Sequence, residues 1–119
     1  AFLRMQFDVR TRSYAMQYPQ AEDNVIVLDG RIAGRMIVDR TETAIVLVDI
    51  AVAGAFRQKG IASRLIKQLQ SESAAAGVPL ELRVDRSNTN ALSLYQKLGL
   101  EIKGEDQIQF LMTWEGHRR

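Results

Sequence analysis

Apolar positions recur along this chain with two periods, close to two and close to 3.6 residues, and these periods predict strands and helices in alternation. Val25–Leu28 and Arg31–Val38 are apolar runs separated only by Asp29 and Gly30. An Asp-Gly pair between such runs favours the type I′ turn of a β-hairpin. Gly34, inside the second run, predicts a bulge or a close approach of another backbone.

Two longer apolar patterns follow the predicted hairpin. Thr43–Val52 is rich in β-branched residues and is apolar on both faces except at Asp49, which predicts a central strand. After a loop over Ala53–Lys59, the segment Gly60–Ala76 repeats apolar residues at helical spacing and ends before a glycine and a proline. This spacing and this ending predict an amphipathic helix.

The ends of the chain complete the predicted fold. The last third predicts a strand over Leu80–Val84, a short helix over Ala91–Leu98, and two strands over Glu101–Lys103 and Ile108–Trp114. The first segment, Phe2–Tyr18, has apolar spacings of three, four and seven that suit a helix. The order of elements predicts a mixed α/β sheet covered by helices on both faces.

Composition limits the class of protein. With 119 residues, 46% of them apolar, the chain predicts one domain, residues 1–119, with a real core. The absence of cysteine excludes disulfides, thiolate metal sites and a cysteine acyl intermediate. Sixteen basic residues against 14 acidic ones, without a dense basic run, give no expectation of nucleic-acid binding. One histidine, His117 near the C-terminus, leaves no metal site to expect.

No segment predicts a membrane span or a secretory signal. The longest uninterrupted apolar stretch, Ala44–Val48, is far too short to cross a bilayer. The order of basic, apolar and small residues that marks a signal peptide is also missing. We therefore expect a soluble cytoplasmic protein with no membrane partner.

The loop between the long strand and the long helix has the features of an anion cradle. Arg57–Ala62 reads R-x-x-G-x-A and opens a helix, where unpaired N–H groups and the helix dipole favour an anion. Gly60 lets the backbone approach a ligand closely, and Arg57 and Lys59 add positive charge. The loop matches neither the Walker nor the Rossmann pattern. The alternative is an ordinary charged turn between a strand and a helix.

A second motif leads to a family resemblance. Asn88–Leu100 reads N-x-x-A-x-x-L-Y-x-K-L-G-L, and Asp49–Val52 reads D-I-A-V. Together with the R-x-x-G-x-A loop, in this order, they resemble the signatures of the GNAT superfamily of acyl-CoA N-acyltransferases. The resemblance extends from Phe2 to Trp114 and implies a mostly antiparallel mixed sheet with splayed central strands. Family members usually carry another strand before the point where this sequence begins.

The resemblance also implies a donor and the residues that bind it. The donor is acetyl-CoA, without a metal, and its pantetheine arm would pair with the backbone of the long strand. The N–H of Val52 would face the thioester carbonyl, where a fixed dipole stabilises the developing oxyanion. Arg57 would add charge near the pyrophosphate. The implied donor-binding residues are Ile50, Ala51, Val52, Arg57, Gln58, Lys59, Gly60, Ile61, Ala62, Ser63, Asn88 and Tyr95.

The catalytic acid and base are hypotheses of different strength. By resemblance Tyr95 is the general acid that protonates the CoA thiolate, although its helical spacing also suits a core aromatic. Some family members place a glutamate on the strand before Asn88, where this chain has Arg83. Asp49 is then the main candidate base, with Glu81 and Asp85 as weaker ones that also suit surface carboxylates.

These observations predict a small N-acetyltransferase that passes an acetyl group directly to a primary amine. The amine acceptor is not identified by any motif, and a homodimer is compatible with the family. One alternative is a non-catalytic acyl-CoA-binding or interaction module with the same fold. Another is a general α/β binder of nucleotide phosphates with no preference for CoA.

Overall fold

The computed structural model describes residues 18–57 and 60–116. The helix predicted over Phe2–Tyr18 lies outside these ranges except for Tyr18, as do Gln58, Lys59 and His117. The described strands and α-helices are β1 (Glu22–Leu28), β2 (Arg31–Arg40), β3 (Ile45–Val52), α1 (Ile61–Ala76), β4 (Leu80–Asp85), α2 (Thr89–Lys97), β5 (Glu101–Glu105) and β6 (Gln109–Trp114). Each matches a predicted element, with ends that differ by a few residues.

The hairpin β1–β2 is confirmed and is longer than predicted. Asp29 and Gly30 both have positive φ, 52° and 75°, as a type I′ turn requires. The polar start of β1 joins the sheet because an ion pair between Asp23 and Arg35 crosses the two strands. Arg40 adds a second ion pair to Glu22 at 2.9 Å. Cross-strand charge pairs therefore extend the hairpin beyond its apolar residues.

The six described strands form a sheet in the order β1-β2-β3-β4-β6-β5, and among them only the β3–β4 pair is parallel. That pair is short: it runs from Ile45 opposite Leu80 to Leu47 opposite Leu82 and then stops. Beyond it, β3 stays paired with β2, and β4 stays paired with β6. The two central strands therefore splay apart, which confirms the architecture implied by the resemblance.

A bulge in β3 lies at the start of the splay. Val38 faces Leu47 and Ile37 faces Asp49, so Val48 is an extra residue in β3. Leu47 is buried in the main core, and after the bulge Ile50 packs against the same core. An extra residue reverses the alternation of side chains, so even-numbered positions replace odd-numbered ones on the core face.

The two described α-helices, α1 and α2, cover one face of the sheet. Ile66 and Leu69 of α1 and Tyr95 of α2 are buried in one cluster with Leu80 and Leu82 of β4. The side-chain amide of Gln70 on α1 donates to the carbonyl oxygen of Leu98 after α2, at 2.7 Å, and ties the two helices together. Helical cover on the other face stays a prediction, because the predicted N-terminal helix lies outside the described residues.

Candidate active site

The splay opens a cavity of about 560 Å³ between β3 and β4, which we call the splay cavity. It is lined by Leu47, Val48, Asp49, Ile50, Ala51, Val52, Arg57, Leu82, Arg83, Val84, Asp85, Asn88, Tyr95 and Gln109. The fold therefore brings together residues that are far apart in the sequence, including both predicted catalytic side chains. Parallel pairing stops at Leu47, and this leaves the wall of β3 open.

A second cavity of about 280 Å³, the cradle cavity, lies at the start of α1. It is lined by Val52, Phe56, Arg57, Gly60, Ile61, Ala62, Ser63 and Leu94. Val52 and Arg57 line both cavities, so the two adjoin. No side chain of the described residues caps α1, and the first N–H groups of a helix have no partner within it. The start of α1 can therefore hold an anion next to the splay cavity.

Gly60 shapes the cradle through its backbone conformation. It is the N-cap of α1 with φ of 74°, and a Cβ there would meet no atom of the described residues within 4 Å. Gly77, at the other end of the same helix, has φ of 71° and equally open surroundings. The two glycines thus differ in their distance from the cradle cavity and not in local strain, which makes them a matched pair.

We expect Gly60→Ala and Gly77→Ala each to lower the free energy of unfolding by about 1 kcal/mol, because an L residue is strained at positive φ. Only Gly60→Ala should weaken acetyl-CoA binding, since relaxing that strain turns the first N–H groups of α1. Urea unfolding and calorimetric titration measure the two effects. Equal CoA affinity in both variants would contradict a binding role for the cradle.

The backbone of Val52 faces the splay. The N–H of Ala53 donates to the carbonyl oxygen of Ala33 at 2.7 Å, so Ala53 turns its polar groups to the hairpin side. Successive residues of a strand turn these groups to opposite sides, so Val52 turns its own towards the gap. The side-chain Nε of Arg57 donates to the Val52 carbonyl oxygen at 3.2 Å, which agrees with this direction.

The same alternation applies to the three β3 residues whose backbone is predicted to bind the donor, and it turns them to different sides. Ile50 turns its N–H and C=O groups to the gap, whereas Ala51 turns them towards β2. The direction of Ala51 is visible at Gly34, where a Cβ would clash with the Ala51 carbonyl oxygen. The close backbone approach predicted at Gly34 is therefore the one between Gly34 and Ala51. Ile50 and Val52, but not Ala51, offer backbone groups to a ligand in the splay.

Asn88 begins α2 and lines the splay cavity. Its side-chain oxygen accepts a hydrogen bond from the N–H of Ala91 at 3.2 Å, which is the N-cap predicted from the sequence. The bond uses the oxygen alone, so the side-chain NH₂ group remains able to donate into the cavity. Capping and ligand binding are therefore compatible at this residue.

Tyr95 is both a core residue and a wall of the splay cavity. Only 9% of its surface is exposed, and it packs in the cluster beneath the helices. Burial raises the pKa of its phenol, and the negative charge of Asp49 raises this pKa further. The phenol is therefore protonated at neutral pH and can donate a proton.

Asp49 approaches the splay cavity from the other face of the sheet. It pairs with Ile37, whose neighbours Met36 and Val38 both belong to the core under the helices. Paired residues share a face and successive residues alternate, so Asp49 points away from the helices. Its charge nevertheless reaches Tyr95 across the open gap. The splay cavity thus connects a neutral acid on one face with a carboxylate on the other.

The raised pKa of Tyr95 predicts the stability of the fold in alkali. Above about pH 10 an unfolded tyrosine loses its proton while the buried one keeps it, so the unfolded state binds fewer protons and stability falls as pH rises. We expect the wild-type protein to lose up to about 1.4 kcal/mol per pH unit relative to Tyr95→Phe in this range. Urea unfolding between pH 8 and 11.5 measures the difference, and a constant difference would contradict the raised pKa.

A third cavity, of about 450 Å³, lies on the face of the sheet opposite α1 and α2, and we call it the sheet-face cavity. Its lining residues are Tyr18, Val46, Leu47, Val48, Glu81, Leu82, Arg83, Gln109 and Leu111. Glu81 lies here and Asp85 in the splay cavity, so the two weaker base candidates are separated. Arg83 and Gln109 line both cavities.

The sequence reasoning did not identify Gln109 or Tyr18 as cavity residues, and it treated Arg83 only as the replacement of a glutamate. The alternation of apolar and polar residues along β4 could have predicted which way Arg83 faces. Leu82 and Val84 are buried under the helices, so the residues between and beside them face the other way. Gln109 lies opposite Asp85, and its side-chain amide donates to the Asp85 carboxylate at 3.2 Å.

This fold and this cavity system define the class of protein. The model of the acetyltransferase (GNAT) family matches residues 4–100, and the chain belongs to that family. Among curated proteins, none matches the chain at a significant level. The described residues contain no helix long and apolar enough to cross a membrane.

Solved structures with the same fold include three acetyltransferases. A GNAT family acetyltransferase from Elizabethkingia anophelis with acetyl-CoA bound has a TM-score of 0.75 and 21% identity, covering 87% of this chain and 82% of that chain. The ribosomal-protein-S18-alanine N-acetyltransferase from Escherichia coli has a TM-score of 0.72 and 23% identity, covering 86% of this chain and 74% of that chain. Arabidopsis thaliana Naa50, in complex with the bisubstrate analogue CoA-Ac-MVNAL, has a TM-score of 0.70 and 16% identity, covering 77% of this chain and 71% of that chain.

Proposed function

We propose that this protein is an acetyl-CoA-dependent N-acetyltransferase that passes the acetyl group directly to a primary amine. The observation that carries the proposal is the splay cavity, where the Tyr95 phenol and the Asp49 carboxylate approach one space from opposite faces. The adjoining cradle cavity gives an anionic donor a place to bind. Similar folds solved with acetyl-CoA and with a CoA-containing bisubstrate analogue support this choice of donor.

The donor binds along β3 in this proposal. The pyrophosphate lies at the start of α1, on the N–H groups of Ile61, Ala62 and Ser63, with Arg57 adding charge. The pantetheine arm extends along the gap and pairs with the outward backbone groups of Ile50 and Val52 as an added strand would. This arrangement brings the thioester to the Val52 N–H, which stabilises the oxyanion by about 3 kcal/mol.

The acceptor enters from the face of the sheet opposite α1 and α2, where Asp49 lies. An ammonium group loses a proton to Asp49, directly or through a water, and the free amine attacks the thioester carbon. The new C–N bond forms, the C–S bond breaks, and the departing thiolate takes the proton of the Tyr95 phenol. The second proton of the acylated nitrogen restores Tyr95, and the proton on Asp49 leaves to solvent. Direct transfer agrees with the absence of a cysteine in the chain.

The proposal is tested by comparing acetyl-CoA, CoA and ATP in thermal shift and then measuring thiol release with a panel of amines. We expect CoA-selective stabilisation together with thiol release that depends on the amine. Stabilisation by CoA without turnover on any amine would favour the non-catalytic binding module. Equal stabilisation by ATP would favour a general phosphate binder, and no stabilisation by CoA would contradict the donor itself.

Asp49→Asn should lower kcat/KM for the amine by about 100-fold at pH 7, because the amide has no basic oxygen to take the proton. The loss should shrink as pH rises towards the pKa of the amine, since less ammonium then needs deprotonation. A pH series of thiol-release rates measures both effects. Asp85→Asn, on the neighbouring strand, serves as the control, and an equal loss in both variants would contradict a specific role for Asp49.

A further inference from the structure

Arg83 is a cation on the acceptor side of the sheet that forms no ion pair with a carboxylate of the described residues. It lines both the splay cavity and the sheet-face cavity and is exposed to solvent. Across the described residues its guanidinium forms no ion pair within 4.0 Å, whereas Arg35, Arg40 and Arg86 each pair with a carboxylate. Five N–H donors of this group therefore remain available to a ligand.

The acidic groups around Arg83 are occupied or separate from it. Asp85 accepts a hydrogen bond from Gln109 at 3.2 Å. Asp106 accepts backbone hydrogen bonds from Ile108 and Gln109, and the charge of Arg83 contributes only a weaker lowering of its pKa. Glu81 is on the same face of β4, about 7 Å further along the strand at 3.3 Å per residue.

Arg83 and Asp49 flank the opening of the splay. Leu47 faces Leu82 at the last parallel pair, so Arg83 is one residue beyond that point on β4 and Asp49 is two residues beyond it on β3. Both point to the face opposite α1 and α2, because each alternates with residues of the core. A cation and an anion thus face the acceptor side at nearly the same level of the sheet.

We propose, resting on the proposed function, that the acceptor is an amine that carries a carboxylate a few bonds away, and that Arg83 binds this carboxylate. An ammonium group alone would meet repulsion from the free guanidinium at the entrance. A zwitterionic acceptor satisfies both sides, with its nitrogen at Asp49 and its carboxylate on the planar fork of Arg83. Free amino acids and peptides with an acidic first residue both offer this chemistry.

The test compares acceptors that differ only in the carboxylate. Glycine with glycinamide, and a peptide beginning with Asp with one beginning with Asn, form two pairs that separate the two sources. For wild type and Arg83→Gln, kcat/KM of the acceptor with the carboxylate is divided by kcat/KM of its partner without it. This ratio cancels any loss of activity that is common to both acceptors. We expect the ratio to fall about tenfold in Arg83→Gln for the source that the protein uses, with an unchanged KM for acetyl-CoA.

Two further variants show whether charge or geometry is responsible. Arg83→Lys keeps the charge without the fork, so its ratio should be intermediate. Lys67→Gln removes the same unit charge from the exposed side of α1 and should leave the ratio unchanged. A ratio in Arg83→Gln equal to that of wild type in both pairs would overturn the proposal while leaving acetyl transfer intact.

A binding measurement decides the proposal even if no amine is turned over. With CoA present, N-acetylglycine should raise the melting temperature more than N-acetylglycinamide, and Arg83→Gln should remove this difference. Equal shifts for the two compounds with wild type would overturn the role of Arg83. Failure of CoA itself to bind would instead contradict the proposed function.

Discussion

Tyr95→Phe is expected to lower kcat for acetyl transfer by about 100-fold while leaving acetyl-CoA affinity within twofold of wild type. The phenol lines the splay cavity and keeps its proton at neutral pH, because burial and the charge of Asp49 raise its pKa. In the proposed mechanism, removing the hydroxyl leaves the thiolate without its proton donor at the moment when the C–S bond breaks. Thiol release under saturating acetyl-CoA and amine measures kcat, and calorimetric titration measures the affinity.

The variant also separates catalysis from packing at this position. The ring of Tyr95 fills the core, and phenylalanine keeps that ring, so we expect the free energy of unfolding at pH 7 to change by less than about 1 kcal/mol. Leu92→Ala, on the same helix, is the complementary control, because it removes core packing and leaves the Tyr95 hydroxyl in place. A kcat within threefold of wild type in Tyr95→Phe would make Tyr95 a packing residue alone.

Gly34→Ala is expected to lower the free energy of unfolding by about 3 kcal/mol or more. An added Cβ would overlap the carbonyl oxygen of Ala51 and lie 3.1 Å from its carbonyl carbon and from the Cα of Val52. These are backbone atoms of the facing strand, so they can move only by disturbing the β2–β3 ladder. Urea unfolding followed by circular dichroism measures the loss.

Gly104→Ala is the matched control for this prediction. Gly104 also lies within a strand, β5, but its added Cβ would make an ordinary contact of 3.9 Å with the Cβ of Leu111. We expect a change within about 0.5 kcal/mol of wild type, because alanine restricts the unfolded chain more than glycine does. Similar losses in the two variants would show that Gly34 is not specially constrained by Ala51.

Periodicity predicted the described elements because each of them buries a regular set of side chains. The helix over Gly60–Ala76 differs from α1 by only one residue, since a glycine at each end fixes where it begins and stops. The start of β1 was missed because its first residues are polar. Glu22 and Asp23 join the strand through ion pairs with Arg40 and Arg35, more than ten residues away, and no local pattern contains that information.

The pattern of apolar residues could not predict the bulge at Val48 either. The run Thr43–Val52 is apolar at almost every position, so an extra residue leaves no trace in its alternation. The bulge nevertheless decides which side of the sheet Asp49 faces. Alternation along a strand without a bulge would have placed Asp49 with Leu47, on the core face.

The sequence by itself determined the order of the elements, the family and most residues of the candidate site, because short motifs fix local turns, caps and glycine conformations. Only the tertiary structure decided where the site opens and what faces it. The early end of the β3–β4 ladder places Tyr95 and Asp49 on opposite sides of one cavity, and it leaves Arg83 at the opening without an ion pair to any carboxylate of the described residues. Those relations depend on contacts between distant segments, which packing creates and local sequence does not encode.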